Sequence, residues 1–204
     1  TLGMISSNHV VAPHVIKDIP YDAVKDFTAV SIVAGSALAL VVNADSPFRT
    51  VKDLIDAAKA KPGDITYGSS GNGTILHLAS VLFANEAGIE LKHVPYKGVA
   101  PMVTDLLANV VNCVITSLAS VQSHVASGKL RMLAVSSRQR DPAAPNVPSL
   151  AESGLPNYDY SAWIAMVGPA GLPPPVLVRV QAAIKAAVTR PEVYCFSISW
   201  TSAS

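Results

Sequence analysis

Gly68-Ser69-Ser70-Gly71-Asn72-Gly73-Thr74 is a run of small residues between a β-like stretch and a helical one. A loop of this kind sets free N–H groups and hydroxyls at the positive end of a helix, where they can hold an anion without a basic side chain. The competing reading is a flexible connection whose Ser or Thr only caps the helix. Three named motifs fail on inspection. The loop lacks the Gly-Lys-[Ser/Thr] ending of a P-loop, and Leu76 stands where a dinucleotide fingerprint would place its third glycine. Asn72 stands where a GxSxG nucleophile elbow starting at Gly68 would need glycine.

Ser6-Ser7-Asn8-His9 follows another strand-like stretch and offers a second group of small polar donors, or an ordinary turn. Of the histidines, His77 lies in the first turn after the glycine loop and is the one placed to face a ligand. Its alternative is a half-buried packing residue. His93, inside a strand, and His124, late in a helix, read as structural. No histidines show the HExxH pattern or ligand spacing on one helix face. Nothing identifies a general base, which needs a matched pKa and a proton within reach. Tyr160 and Trp163 read as core aromatics that could also wall a cleft.

The elements that position these groups follow from periodicity. Residues 38–42 (LALVV) form a continuous apolar run suited to a strand buried on both faces. Thr50 caps a helix carrying Val51, Leu54, Ile55 and Ala58 on one side, stopped by Pro62-Gly63. Strands are expected near 65–67, 91–94, 112–115 and 130–135, with helices near 74–87, 101–107 and 118–126 between them. Five strands with helical spacers predict a parallel, doubly wound sheet with right-handed crossovers. Pro142, Pro145, Pro148 and Pro156 mark a connecting stretch, followed by a strand at 162–167 and a helix from Val176 to about Thr189. A further strand at 30–34 is separated from the 38–42 run by Gly35-Ser36. The chain therefore enters one lobe, crosses into a second and returns, and a cleft between lobes is a preferred place for a small ligand.

Composition narrows the function classes. Lys plus Arg (15) against Asp plus Glu (14) gives a net charge of +1 over 204 residues, without the basic field that nucleic-acid binding requires. Charged residues are 14% and apolar residues 50%, a balance that argues against disorder. No apolar run reaches the roughly 18 residues of a membrane span. Cys113 sits in an apolar run as a small hydrophobe, and Cys195 in an unusual tail. Without clustered Cys or His, no structural zinc site is expected. The chain opens Thr-Leu-Gly without Met or a visible signal peptide, in what reads as the middle of an element.

Several strings resemble the Bug family, the extracytoplasmic solute-binding receptors of tripartite tricarboxylate transporters. They are VKDFTAVSIVA, LVVNADSPFRTVKDLIDAAKAKPGDITYGSSGNGTILHLAS, HVPYKGVAPMVTDLLA, SGKLRMLAVSS and GPAGLPPPV. HVPYKG with the downstream TDLL, and YGSSGNGT, are specific to the group, and the likeness runs from Thr1 to about Val193. It implies an α/β fold of the type II periplasmic binding protein kind: two doubly wound lobes joined by two crossovers. Lobe 1 would be residues 1–36 and 138–204, and lobe 2 residues 37–137.

The implied function is capture of a small organic carboxylate (a di- or tricarboxylate, an aromatic acid or an amino acid) in an interlobe cleft. Delivery to the membrane transporter subunits would follow, in the periplasm, without enzymatic activity, cofactor, metal or nucleic acid. By position, the resemblance implicates Ser6, Ser7, Asn8 and His9 in one cleft loop, and Ser69, Ser70, Asn72, Gly73, Thr74 and His77 in the other. Where the family usually carries an acidic residue followed by Asn, this sequence has Thr116-Ser117. If that position selects for amines, purely anionic ligands are expected to be favoured.

Family members also begin with a strand and a Pro-Phe-Pro-Ala-Gly-Gly type loop that serves the carboxylate site. They continue past Val193 with a charged helix, where this chain has YCFSISWTSAS. The first lobe is thus expected to be incomplete, short of strands and of one anion-binding loop. Two alternatives stay open: a truncated remnant that does not bind, and a carboxylate-ester hydrolase.

Overall fold

The computed structural model describes residues 1–15 and 18–190, with only the backbone of residues 14 and 15 described. Cys195 and the string YCFSISWTSAS lie outside the described residues. In chain order the elements are β1 (Gly3–Ser6), α1 (Asn8–Val15), β2 (Phe27–Asn43), α2 (Val51–Ala60), β3 (Thr66–Ser69), α3 (Ile75–Ala87), β4 (Lys92–Pro95), α4 (Val99–Leu107), β5 (Cys113–Ser117), α5 (Leu118–Ala126), β6 (Leu130–Val135), β7 (Ser161–Pro169) and α6 (Pro174–Val188). The chain divides into two compact units: Thr1–Ser36 with Ala162–Ser204, and Ala37–Ser161.

Unit 2 is built around the 38–42 run, whose residues are all 1% exposed or less. A strand buried on both faces needs apolar residues at every position, which is what LALVV supplies. The sheet is mixed, which corrects the all-parallel expectation. β3 pairs in parallel with β4 and β5, whereas β2 runs antiparallel to both β5 and β6. A strand that is apolar throughout reads the same in either direction, so its sense had no signature in the sequence. The helices are set by local chemistry. Thr50 and Asp53 form a reciprocal capping box at the start of α2. Gly88 ends α3 in the left-handed conformation (φ 61°), which costs a glycine little.

Three further differences from the sequence expectation have physical reasons. Gly35-Ser36 does not interrupt the chain: β2 runs through it as a single 17-residue strand. Ser7 is followed by a helix, α1, and not by an ordinary turn. The stretch 138–161, read from its prolines as a connecting stretch and placed in lobe 1 by the bounds the resemblance implied, lies in unit 2. Its backbone is laced to the end of β6, with Val135 N–H donating to Pro148 O at 2.8 Å and Leu150 N–H to Val135 O at 2.9 Å. Leu150 and Tyr158 are fully buried, and Tyr158 Oη donates to Ala79 O of α3 at 2.9 Å. A proline-rich texture marks irregular backbone but not which core its few apolar residues enter.

Unit 1 holds β1, α1, the first part of β2, most of β7 and α6. β1 pairs antiparallel with β7, and β7 neighbours β2. α6 lays Ile184 and Val188 against Val30, with Val33, Met166, Leu172, Leu177 and Val180 around them. Gln181 Nε2 donates to Val30 O at 2.8 Å.

Candidate functional site

In unit 2, β3 ends at Ser69 and α3 begins after its N-cap, Thr74. β3 can enter the loop only through glycine at position 68. A Cβ there would lie 2.9 Å from Met102 Cγ, 3.2 Å from Val114 Cγ1 and 3.3 Å from the Tyr96 ring. The loop then folds on itself. Thr74 Oγ1 donates to Gly71 O (2.8 Å) and accepts from His77 N–H, while Ser70 Oγ reaches Thr74 Oγ1 at 3.2 Å. Ser69 Oγ, fully buried, accepts from Gly71 N–H at 3.2 Å and lies 2.7 Å from His93 Nε2. Gly73 N–H donates to His77 Nδ1 at 3.1 Å. Asn72 is exposed. Several of the loop's donors are therefore held within the loop itself.

Three rings back this loop. His77 and His93 stack with centroids 4.2 Å apart, and Tyr67 stacks on His93 at 4.8 Å. Burial holds both imidazoles below their ordinary value of 6.5, and for His93 the nearby His77 adds to the effect. Both effects favour the neutral ring. Burial also raises the Tyr67 phenol, as does the adjacent Cys113. The partnership of Tyr67 and His93 follows from the β3–β4 register, which pairs them directly. His93, read from sequence as structural, thus supports the loop through Ser69. The signal lay in strand pairing across a β-α-β unit, which a search for histidine spacing along the chain does not test.

β5 delivers a second junction to the same edge of the sheet, because it lies parallel to β3 with Gly68 opposite Val114. Thr116, near its end, is fully buried and its Oγ1 has no hydrogen-bond partner among the described residues. Ser117 is the N-cap of α5 but makes no side-chain cap bond; its hydroxyl pairs with Ser120 Oγ.

In unit 1, Ser6 ends β1 and Ser7 precedes α1. Ser7 is buried, its N–H donates to Trp163 O at 3.0 Å, and its Oγ has no partner among the described residues. Asn8 is exposed. His9 is held in packing: its Nε2 donates to Ala23 O (3.0 Å), and its ring stacks on Tyr21 and meets the edge of Phe27. The sequence-derived residues thus form three junctions: Ser6, Ser7, Asn8 and His9 in unit 1, Ser69 to His77 in unit 2, and Thr116-Ser117 beside the latter.

Among the described residues no group of three or more His, Cys, Asp or Glu side chains could hold a metal ion. No described helix is long and apolar enough to cross a membrane.

An α/β chain of two compact units, with Ser- and Gly-rich strand-to-helix junctions, has the periplasmic binding protein fold. The chain belongs to the tripartite tricarboxylate transporter family receptor (TctC) family, whose sequence profile matches residues 1–198. It is 39% identical over 194 residues to a UPF0065 protein in the tcbD-tcbE intergenic region of Pseudomonas sp. strain P51, covering 95% of this chain and 58% of that one. It is 34% identical to Protein BugT of Bordetella pertussis, covering 92% of this chain and 57% of BugT. The chain therefore spans somewhat over half the length of these relatives. Among solved structures, R. palustris Rpa4515 with adipate superposes with a TM-score of 0.83 at 30% identity, covering 94% of this chain and 64% of that one. A TctC solute binding protein from Polaromonas gives 0.81 at 28% identity, with coverages of 95% and 66%.

Proposed function

We propose that this chain is the greater part of a periplasmic receptor that captures a small organic carboxylate and passes it to the membrane subunits of a tripartite tricarboxylate-type transporter. The observation that carries the reading is in unit 2. Two parallel strands, β3 and β5, bring two helix N-termini and a run of hydroxyl side chains to one edge of the sheet, with Thr116 Oγ1 buried and unpartnered. An unsatisfied buried hydroxyl costs about 1–3 kcal/mol, a cost that a bound polar group offsets. A carboxylate near a helix N-terminus gains typically ~0.3–1 kcal/mol, so affinity rests on several such contacts acting together. The family's receptor role and the adipate bound to Rpa4515 point the same way.

The ligand class we propose is a carboxylate without an amine. Thr116-Ser117 offers hydroxyls and no carboxylate to pair with an ammonium group.

The test is a thermal-melt titration of the chain with adipate, succinate, citrate, an aromatic acid and a panel of amino acids. A ligand that binds only the native state adds about 2.7 kcal/mol at a hundredfold excess over its Kd, so a true ligand is readily seen. A saturable shift with one class of acid is expected. A preference for amino acids over dicarboxylates would overturn the amine-free assignment. A cooperative melt that no acid shifts would overturn carboxylate capture by this chain.

A further inference from the structure

The loop before α3 contains a titratable contact that its role in anion binding does not require. Gly73 N–H donates to His77 Nδ1, so that nitrogen carries a lone pair and the ring proton sits on Nε2. An imidazolium carries N–H on both nitrogens and accepts at neither. Protonating His77 therefore breaks the Gly73 bond and sets two donors against each other. His93 behaves differently. Its Nε2 faces Ser69 Oγ, a hydroxyl that can accept from an imidazolium, so protonation leaves that contact intact. The two stacked rings disfavour a second charge once one is present, and the pair takes up its first proton before its second as a coupled system.

Among the described residues, the titratable rings stacked on His77 are Tyr67 from β3 and His93 from β4. Of the ionisable groups on neighbouring elements, Cys113 of β5 lies opposite Tyr67 with its Sγ donating to Thr66 O at 3.8 Å, and Asp105 of α4 accepts from Tyr96 Oη at 2.8 Å. Neither histidine has an ion-pair partner among the described residues.

We propose that His77 is a proton-operated latch on the Gly73 amide: the neutral ring holds the N–H, and the imidazolium releases it at the N-terminus of α3 for an incoming carboxylate. The step moves one proton from solvent to Nδ1 and breaks one hydrogen bond. The consequence for ligand binding rests on the reading of this loop as a carboxylate site. Release frees a donor and adds a positive charge beside it, so carboxylate binding and His77 protonation favour each other reciprocally. Affinity rises as pH falls through the His77 midpoint, and binding draws in a proton.

The latch is tested first without ligand. In 15N-labelled chain titrated through the imidazole range, the Gly73 amide is expected to shift with the same midpoint as the His77 ring carbons. H93Q keeps that behaviour, and H77N, which leaves a non-titrating acceptor oxygen near the place of Nδ1, abolishes it. A Gly73 amide that stays still in the unmodified chain while His77 titrates would overturn the latch, and this reading needs no variant to fold.

Adipate binding is then followed by calorimetry in two buffers of different ionisation enthalpy, on both sides of the midpoint. Above the midpoint, proton uptake approaching one per ligand is expected in the unmodified chain and is lost in H77N; below it, where Nδ1 already carries the proton, uptake falls towards zero. Binding without uptake above the midpoint overturns the coupling and leaves the carboxylate reading standing. Absence of binding at either pH overturns the carboxylate reading, while the Gly73 titration still decides the latch.

Discussion

Both units of this chain are α/β, yet they bury their apolar residues very differently. Unit 2 holds Leu54, Leu106, Val111 and Leu150 at 0% exposure. Unit 1 has a short buried set, Val30, Val167, Ile184 and Val188, and the last two are 9% and 7% exposed. The large exposed hydrophobics divide the same way. Leu2, Met4, Val10, Val24, Ile32, Ile164, Val176 and Val178 all belong to unit 1, against Val110 alone in unit 2 among the described residues. Leu2 and α6 residues including Val176, Val180, Ala183 and Ile184 line an apolar groove of about 650 Å³. Scattered apolar residues are normal on a protein surface, but contiguous ones mark a face that expects a cover.

The largest test of that contrast is a matched pair of truncations. Phe83→Ala in unit 2, at 1% exposure, is expected to cost about 3–5 kcal/mol in denaturant unfolding, because the cavity cannot collapse. Ile184→Ala in unit 1 is expected near the low end of the Ile→Ala range, about 2 kcal/mol, and in a separate, earlier transition. Equal costs in one shared transition would show the units to be equally packed and to unfold together. Gly68→Ala comes next, at about 1–3 kcal/mol, because the new methyl meets Met102 and Val114 at contact distances the core must yield to. A neutral Gly68→Ala would show the core around the loop to be slack.

Tyr158→Phe sharpens the boundary between the units. It is expected to cost about 1–3 kcal/mol, by leaving Ala79 O without its buried donor, and to shift the unit 2 transition only. A shift of the unit 1 transition would return residues 138–161 to that unit.

A pH effect follows from the two depressed histidines. With folded pKa values below 6.5, their contribution to stability is full above pH 6.5 and is lost as pH falls from there through the folded values, because the unfolded chain takes up protons first. Unit 2 should therefore weaken on the acid side in urea melts, and H77N should flatten the slope. An unchanged slope in H77N would assign the effect to other groups. The smallest expected effect is Met4→Ser, within about 0.5 kcal/mol, with reduced binding of an apolar dye. A larger loss would mean that Met4, 64% exposed, carries more packing than its exposure indicates.

Particular residues show where the sequence was readable. Thr50 at the start of α2 and Ala87 at the end of α3 stand where the sequence reading put them, because a cap acts through contacts within a few residues, whereas α6 starts at Pro174, two residues before the expected Val176. Ser69, Thr74 and His77 could be picked out because a glycine-rich loop between a strand and a helix is a local pattern. His93 and Tyr67 could not, because their place behind the loop depends on the β3–β4 register. His9 could be grouped with the donors beside it, but its stacking on Tyr21 arises from chain folded back over it.

The sequence by itself determined the alternation of strands and helices, the apolar centre of unit 2 and the positions of the polar junctions, since periodicity, caps and glycines act over short range. Only the tertiary structure decided the direction of β2, the passage of that strand through Gly35-Ser36 and the allegiance of residues 138–161. It also decided which loop donors are free and which are spent on one another. Those outcomes depend on pairings between distant segments, and an apolar or small residue carries no mark of the partner it will meet.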